Sequence, residues 1–290
     1  MRETANRLLD PLAESGRLEF VDEYAIPFSL TAIGEILGAD EEAFEVLRRG
    51  VETQVYVLNA ILAGLPTEEE LVAMGEELIA FTDFVSALVE ERRKSPRDDY
   101  TSIMIHTARP DGSLASTAEI TQAVIDLLGA GFKTTAGAMT LGIYTLLNNP
   151  DQWQLLLSDR ALVPNAIEEM LRYRSLATRL FRRAVNDVVI GDVKVPAGAL
   201  VALCLASAGR DEEIYERPDA FDIRRDRPQH LAFGKWQHFC VGAQLARLEM
   251  VVTLETLLER FPELHLAPDQ DLEWAPDLRL DVLKELQLEA

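Results

Sequence analysis

The spacing of the apolar residues changes once along this chain, near residue 175. Up to that point apolar residues recur at the three- and four-residue spacing that is typical of amphipathic helices. From Leu176 to Leu205 the sequence is rich in β-branched residues and contains the turn sequences Gly191-Asp192 and Pro196-Ala197-Gly198, which predicts three or four short strands. The chain is therefore predicted to be mainly α, an α+β protein with small β-sheets.

We predict one domain over residues 1–290, since neither an internal repeat nor a long linker divides the sequence. This domain is expected to be mostly helical over 1–175 and to consist of strands and loops over 176–239. A cysteine-containing loop and the helix after it occupy 233–261, and short strands follow over 262–290.

Capping signals set several helix boundaries. Thr67 and Glu70 form a capping box and start a helix that is predicted to run to Lys94. Thr117 is predicted to cap a helix that runs to Asn148. The other predicted segments are a helix from Glu3 to Glu14, an extended stretch with the sequence LEFVDEYA, helices from Ile26 to Leu37 and from Glu41 to Val57, a turn at Gly64-Leu65-Pro66, helix over 151–175, a helix from Cys240 to Phe261, and strands between His265 and Leu288.

Charge and cysteine content exclude several classes of function. The chain has 28 Lys and Arg against 49 Asp and Glu, a net charge of −21, so a phosphate backbone would repel it and nucleic-acid binding is not expected. No apolar run is long enough to span a bilayer, and no basic amphipathic stretch suggests binding to a membrane surface. Two cysteines are too few for a disulfide framework, which favours a reducing compartment and a cytoplasmic location.

The stretch around Cys240 is the strongest candidate for chemistry. Cys240 is predicted to lie where a loop meets a long helix, and the first turn of a helix stabilises a thiolate, which is a nucleophile or a metal ligand. Gly242 would leave the helix face bare, so that a large flat group could approach. The alternative is a buried cysteine that starts a core helix. Cys204, in an apolar strand, is expected to be core, and His230 is expected to pack rather than to bind a metal.

Three further places allow a structural and a functional interpretation. In Ala130-Gly131-Phe132-Lys133-Thr134-Thr135, threonine hydroxyls bonded to the preceding turn could line a polar site, or the glycines could allow close helix packing. Glu169 and Arg172 share one helix face, where an exposed ion pair is the simplest expectation. Arg182 and Arg183 could bind a carboxylate or form a solvated strand edge.

In their order and spacing these elements resemble the cytochrome P450 family of the soluble bacterial type, along essentially the whole chain. The stretches that carry the resemblance are EERRKSPRDDYTSIMI, LLGAGFKTTAGAM, AIEEMLRY, RRAVNDVVIGDVKVPAGALV, RDEEIYERPDAFDIRR and HLAFGKWQHFCVGAQLARLEM. The last of these is similar to the haem-ligand signature of the family, whose members bind the haem iron through a cysteine thiolate. The resemblance implies the P450 helical fold with small sheets.

The resemblance also implies a role for individual residues. Cys240 would be the iron ligand of haem b, iron protoporphyrin IX. The other residues assigned to the cofactor are Phe233 beneath the haem, Gly234 and Gly242 in the ligand loop, His238 and Arg182 at the propionates, and Ala130 and Gly131 at the border of the oxygen pocket. Thr134 would help to deliver protons to dioxygen, with Lys133 beside it. Glu169, Arg172 and Arg225 would form a buried ion-pair core behind the haem.

Three departures from the family pattern accompany the resemblance. The opening helix corresponds to one well inside the pattern, so we expect an N-terminally truncated member in which one wall of the haem site is missing. Lys133 stands where the family usually has an acid, so slower or altered oxygen activation is expected. Trp236 stands where the family usually has glycine; if the loop needs a positive φ there, the tryptophan costs about 1–2 kcal/mol and its indole would crowd the site.

Two functions of different classes follow. The first is a haem-thiolate monooxygenase that inserts one oxygen atom of O2 into an organic small-molecule substrate, with electrons from a ferredoxin-type donor. The intact Cys240, His238 and Thr134 favour it. The second is a haem-poor relative that acts as a partner or activator of another enzyme, which Lys133 and Trp236 favour.

Overall fold

The computed structural model describes residues 1–63, 67–226, 228–275 and 277–290, and the turn predicted at Gly64-Leu65-Pro66 lies outside them. The α-helices are α1 (Arg2–Leu8), α2 (Asp10–Ser15), α3 (Ile26–Leu37), α4 (Phe44–Ala63), α5 (Glu68–Lys94), α6 (Tyr100–His106), α7 (Thr117–Leu147), α8 (Pro150–Ser158), α9 (Val163–Tyr173), α10 (Leu205–Ala208) and α11 (Ala243–Arg260). The strands are β1 (Arg17–Glu19), β2 (Arg179–Arg183), β3 (Val188–Ile190), β4 (Val193–Val195), β5 (Leu200–Cys204), β6 (His265–Leu266) and β7 (Gln287–Glu289). The predicted class, mainly α with small sheets, is confirmed. In the part of the chain that is described, no helix has both the length and the apolar character needed to cross a bilayer.

The described residues form two compact units. One comprises Ile26–Ala136 together with Met1, and the other comprises Arg2–Ala25 and Gly137–Ala290. Helix α7 contributes residues to both. The single domain over residues 1–290 stays a prediction.

In the unit Ile26–Ala136, helices α4 and α5 pack closely around a glycine. A Cβ atom on Gly50 would lie 2.2 Å from Cγ of Phe81, a distance no real side chain accepts, so glycine at this position permits the approach. Arg92, near the end of α5, is fully buried and donates from Nε to Asp99 at 2.5 Å and from Nη2 to the carbonyl of Gly38. A buried guanidinium needs such partners, because removing one would leave an unpaired charge in the core.

In the second unit, α9 and α11 pack together with the C-terminal half of α7. A Cβ on Gly142 of α7 would lie 2.9 Å from Sδ of Met170 and 3.4 Å from Cε of Met250, so the small residue sets the helix spacing. A three-stranded antiparallel sheet, in the order β1-β7-β6, closes the unit. Leu18 pairs with Leu288 across it, and both side chains are buried.

Two further sheets cover residues 179–204, and each has two antiparallel strands. β2 pairs with β5 and β3 pairs with β4, with the predicted glycine turns between the strands. Most of their side chains are exposed. The prediction of three or four short strands is confirmed, with four present, but the expectation that Cys204 is a core residue is wrong. Cys204 is exposed, because it ends a strand whose two-stranded sheet buries little on either face.

Two predictions for the first 25 residues are wrong in part. The helix predicted from Glu3 to Glu14 is interrupted at Leu9, and α2 restarts with Pro11 in its first turn, where a missing N–H costs nothing. The extended stretch LEFVDEYA is a strand only through Glu19. The Glu19 carboxylate accepts hydrogen bonds from the N–H groups of Val21 and Asp22, at 3.0 and 2.6 Å, and a π-helical turn follows over Val21–Ala25.

Helix boundaries agree with the sequence where the cap is unambiguous. The Thr67 capping box is confirmed and α5 ends at Lys94 as predicted. The cap of α7 is one residue earlier than predicted: Ser116 Oγ accepts from the Glu119 N–H at 3.3 Å, and a Glu119 carboxylate oxygen accepts from the Ser116 N–H at 2.9 Å. Thr117 instead donates its hydroxyl proton to Glu90.

Three other predicted helices change at their ends or break. The helix predicted from Glu41 begins as a 3₁₀ turn over Glu41–Ala43 before α4. The helix over 151–175 breaks at Asp159, whose carboxylate caps a 3₁₀ turn by accepting from the Ala161 N–H at 3.1 Å. The helix predicted from Cys240 starts three residues later, at Ala243.

Replacing the true cap of α7 tests this assignment. We expect Ser116→Ala to lower the free energy of unfolding by about 1 kcal/mol, because the Glu119 N–H loses its acceptor. Ser158→Ala is the matched control, since this exposed serine only donates to Leu155 at the end of α8. Urea denaturation measures both variants. An equal change in the two would show that Ser116 does not cap the helix.

Candidate functional site

Cys240 ends a tight loop in front of helix α11. The Cys240 N–H donates to the carbonyl of Phe233 at 2.8 Å, and the Gly234 N–H donates to Leu231 at 2.8 Å, so the segment between them folds back on itself. A short 3₁₀ turn over Trp236–His238 lies inside this loop. The Cys240 carbonyl accepts from the N–H of Ala243, the first residue of α11, at 3.3 Å. The loop therefore presents an exposed thiol three residues before a helix begins.

Two glycines shape the surface around this thiol. Gly234 has a φ of +69°, and a Cβ there would lie 3.0 Å from the carbonyl oxygen of His238, so both conformation and space require glycine. A Cβ on Gly242 would meet only the Cys240 sulfur, at 3.9 Å, among the described atoms within 4 Å. The helix face beside the sulfur is thus bare, as predicted.

The residues of this loop fit a haem group. The sulfur is exposed, the Gly242 face is open, and the neighbouring side chains of Phe239 and Val241 leave large apolar areas in solvent. An apolar macrocycle bound to a thiolate needs an accessible sulfur and apolar surface beside it. The alternative of a buried cysteine that starts a core helix is wrong, since Cys240 is exposed.

Trp236 adopts the left-handed conformation that its position makes expensive. Its φ is +54°, in the region that side chains with a Cβ rarely occupy, so the predicted cost of about 1–2 kcal/mol applies. The indole is 83% exposed and lies beside Lys235, whose Nζ is 5.3 Å from the ring centroid. The crowding of the site by this indole stays a prediction.

Glu169, Arg172 and Arg225 meet in the interior of the second unit. Arg172 donates from Nε and Nη2 to the two carboxylate oxygens of Glu169, at 2.7 and 2.8 Å, and both side chains are fully buried. Arg225 Nε lies 3.3 Å from Glu169. Arg172 also donates from Nη1 to the carbonyls of Gly209 and Pro218, at 2.6 and 2.8 Å. The exposed pair expected from the helix spacing alone is wrong; the arrangement is the one the resemblance implies.

A second cluster, which sequence reasoning missed, surrounds Glu168. Its carboxylate accepts from Arg247 Nε at 2.6 Å and Nη2 at 2.9 Å, and from His230 Nε2 at 3.0 Å. Burial alone would raise the pKa of Glu168, but the hydrogen bonds from Arg247 and His230 outweigh it and hold the pKa at about 2. The available signal was the pair of adjacent acids in AIEEMLRY, one of which had no assigned partner. The His230 side chain is 4% exposed and hydrogen-bonded to Glu168.

The residues predicted on α7 belong to the unit Ile26–Ala136. Thr134 donates its hydroxyl proton to the Ala130 carbonyl, and Thr135 donates to Gly131 at 2.8 Å, as the sequence predicted. The helix is continuous through this stretch. A Cβ on Gly131 would lie 2.9 Å from Ile33, so the glycine serves close packing.

Lys133, also on α7, forms an ion pair across to α4. Its Nζ lies 3.6 Å from a carboxylate oxygen of Glu52, and both side chains are about one-third exposed. The ammonium group is therefore held at a partly solvated position.

The two residues assigned to the propionates, Arg182 and His238, are both exposed. Arg182 is on β2 and donates from Nη1 to the neighbouring Phe181 carbonyl at 2.9 Å. His238 is exposed at the end of the 3₁₀ turn. Both are available to a carboxylate, and their role stays a prediction.

Substitutions at Trp236 test the strain in the loop. Trp236→Gly should be more stable than Trp236→Ala by about 1 kcal/mol, because alanine retains the left-handed penalty and glycine does not. At Gln237, which is not in the left-handed region, the order should be the ordinary one, with alanine more stable. Urea denaturation of the four variants measures the two differences. The same order at both positions would contradict the assignment.

The Glu168 cluster makes stability depend on pH. Because the folded pKa of about 2 lies below the ordinary value of 4.5, the cluster stabilises the fold above pH 4.5 and loses this effect as the pH falls toward 2. The free energy of unfolding of Glu168→Gln should be up to about 3 kcal/mol below wild type at pH 7, with a smaller difference at pH 3. Denaturation from pH 3 to 7 measures it. A difference that does not vary with pH would refute the stated cause.

Comparisons with known proteins identify the family to which this chain belongs. The profile of the family described as Cytochrome P450 matches residues 34–156 and 153–285. The chain is 38% identical over 270 residues to Cytochrome P450 107B1 of Saccharopolyspora erythraea, covering 92% of this chain and 64% of the relative. It is 35% identical over 274 residues to the 6-deoxyerythronolide B hydroxylase of the same organism, with 94% and 66% covered. The chain thus spans about two thirds of the length of these relatives.

Among solved structures, that of cytochrome P450 CYP109Q5 from Chondromyces apiculatus superposes with a TM-score of 0.88 at 35% identity. The match covers 100% of this chain and 70% of that one. Family profile, sequence identity and fold all agree, and the chain belongs to the cytochrome P450 family.

Proposed function

We propose that this chain carries the haem-thiolate centre of a monooxygenase that inserts one oxygen atom of O2 into an organic small molecule. The single observation that supports this most is the exposed sulfur of Cys240 beside the bare face of Gly242. The curated relatives include a hydroxylase and a steroid monooxygenase, which supports the same class of reaction. Electrons would come from a ferredoxin-type donor, and the protein would work in the cytoplasm.

The cysteine loop would bind the cofactor, haem b. Cys240 would supply the sulfur ligand, Phe233 would pack beneath the macrocycle, and Gly242 would let it approach the helix. Arg182 and His238 would hold the propionates, since both are exposed and carry hydrogen-bond donors. When bound, haem supplies the oxygen chemistry, and a thiolate ligand favours cleavage of the O–O bond.

Thr134 is the residue we assign to proton transfer. Its hydroxyl proton is directed to the Ala130 carbonyl, which leaves the oxygen lone pairs able to accept a hydrogen bond from a second donor. Lys133 is tied to Glu52 and would have to leave this ion pair before it could deliver a proton. Proton delivery therefore depends first on Thr134, and Ala130 and Gly131 border the same stretch of helix.

The ion-pair core would hold the fold behind the loop. Arg172 joins α9 to the carbonyls of residues 209 and 218, and Arg225 adds a second cation on Glu169. Because all the donors of the buried guanidinium lie near acceptors, the arrangement is rigid and costly to break. Its contribution is structural support for the segment that leads to Cys240.

The alternative is a haem-poor partner or activator of another enzyme. The observation that favours it is Trp236 in a left-handed conformation within the cysteine loop, a strain that a working haem loop has no need to carry. Haem uptake separates the two functions.

A reduced carbon monoxide difference spectrum after haem reconstitution is the decisive measurement. We expect a band typical of thiolate-ligated ferrous haem, lost in Cys240→Ala and kept in Cys204→Ala. The two cysteines are a matched pair, since both are exposed and free. No haem uptake by the wild-type chain, or a band that survives Cys240→Ala, would reject the proposed function.

A further inference from the structure

The Glu168 cluster lies against the start of the cysteine loop, and the proposed function gives it no role. Glu168 is on α9, Arg247 is on α11 and His230 precedes the loop, so one carboxylate joins three segments. The His230 side chain is 4% exposed, while those of Glu168 and Arg247 are 26% exposed. A bidentate guanidinium–carboxylate pair in a partly buried place fixes the orientation of both groups.

Contacts lead from this cluster to Cys240 in two steps. The guanidinium carbon of Arg247 lies 4.5 Å from the centroid of the Phe233 ring, and the Phe233 carbonyl accepts the Cys240 N–H at 2.8 Å. His230 reaches the same loop, because its Nδ1 accepts the Ala232 N–H at 3.2 Å. Because Nδ1 accepts a hydrogen bond, its lone pair is free of a proton. Nε2 therefore carries the ring proton and donates it to Glu168.

The Glu168 carboxylate fixes the orientation of Arg247. Two guanidinium nitrogens of Arg247 donate to it, at 2.6 and 2.9 Å, and this hydrogen bonding raises the pKa of Arg247. The guanidinium group is thus held beside the Phe233 ring, where the loop starts.

We propose that Glu168 and Arg247 are positioning residues, which hold the Phe233–Cys240 loop and with it the Cys240 sulfur in the arrangement that receives haem. The haem part rests on the proposed function, and the ordering of the loop does not. The pair acts on the loop through Phe233 and His230 and touches no reacting atom.

Amide hydrogen exchange of the full chain without haem tests the ordering of the loop. In Arg247→Met, peptides covering 233–242 should exchange about tenfold faster, equivalent to ~1.4 kcal/mol of opening free energy. Arg247→Lys keeps the positive charge but cannot donate two parallel hydrogen bonds to Glu168, so it should give a partial effect. The control is Arg260→Met, on the same helix, whose pair with Asp10 at 2.8 Å lies away from the loop. Glu168→Gln replaces Arg247→Met if that variant does not fold.

Two exchange results would overturn the proposal. One is exchange of 233–242 at the wild-type rate in both Arg247→Met and Glu168→Gln. The other is faster exchange throughout α9 and α11 as well, because the pair would then stabilise the whole unit and not the loop.

The haem-loaded chain supplies the second measurement. Arg247→Met should bind haem roughly 10- to 100-fold more weakly than wild type, and should therefore lose it faster, because removing a residue that supports a metal ligand typically costs that much in affinity. The ferrous carbon monoxide band should shift, with partial rescue in Arg247→Lys and no change in Arg260→Met. An unshifted band and unchanged haem loss would overturn the role at the sulfur. Failure of the wild-type chain to take up haem would reject the proposed function instead, and the exchange result would still decide the ordering of the loop.

Discussion

The second unit depends most on the contacts that the Glu169 carboxylate makes with two arginines. Arg172 and Arg225 both donate to it from largely buried positions, and both also donate to backbone carbonyls of a long irregular segment. Residues 209–226 contain almost no regular structure that could order them through backbone hydrogen bonds. Side-chain guanidinium groups take over that task, because each offers several donors in a fixed plane. Loss of Glu169 would leave the fully buried guanidinium of Arg172 without its counter-charge.

Glu168 and Glu169 contact two different parts of the chain because they are neighbours on one helix. Successive residues of an α-helix point about 100° apart, so adjacent carboxylates face different segments. Glu169 accepts hydrogen bonds from Arg172 on the same helix and from Arg225 in the irregular segment, while Glu168 accepts them from Arg247 and His230 beside the cysteine loop. Helix α9 therefore works as a common support for both. A shift of this helix by one position would put an apolar residue, Ile167 or Met170, in the place of one carboxylate, and that set of contacts would be lost.

The sequence predicted the elements well where a local signal dominates. The Thr67 capping box, the strands of residues 179–204 and the back-bonded threonines of α7 all follow from interactions within a few residues, which are visible in one sequence. Predictions were wrong where residues distant in sequence determine the burial or the partners of a side chain. The burial of Glu169 and Arg172 depends on carbonyls some 40 residues away, and Glu168 finds its partners at 230 and 247. The exposure of Cys204 likewise depends on what covers a sheet, which strand propensity does not reveal.

In the sheet of β1, β7 and β6, residues 17–19 pair with residues 287–289. The Leu286 N–H donates to Glu19 across 267 residues of sequence, and Leu18 faces Leu288 in the register. During synthesis at the ordinary rate of roughly 5–20 residues per second, residues 17–19 leave the ribosome some tens of seconds before their partners exist. Until then strand β1 lacks its partner strand β7, and Leu18, which is buried in the folded chain, is exposed to solvent. This sheet can form only after residues 287–289 have been synthesised, so residues 17–19 wait for their partners while the residues in between are made.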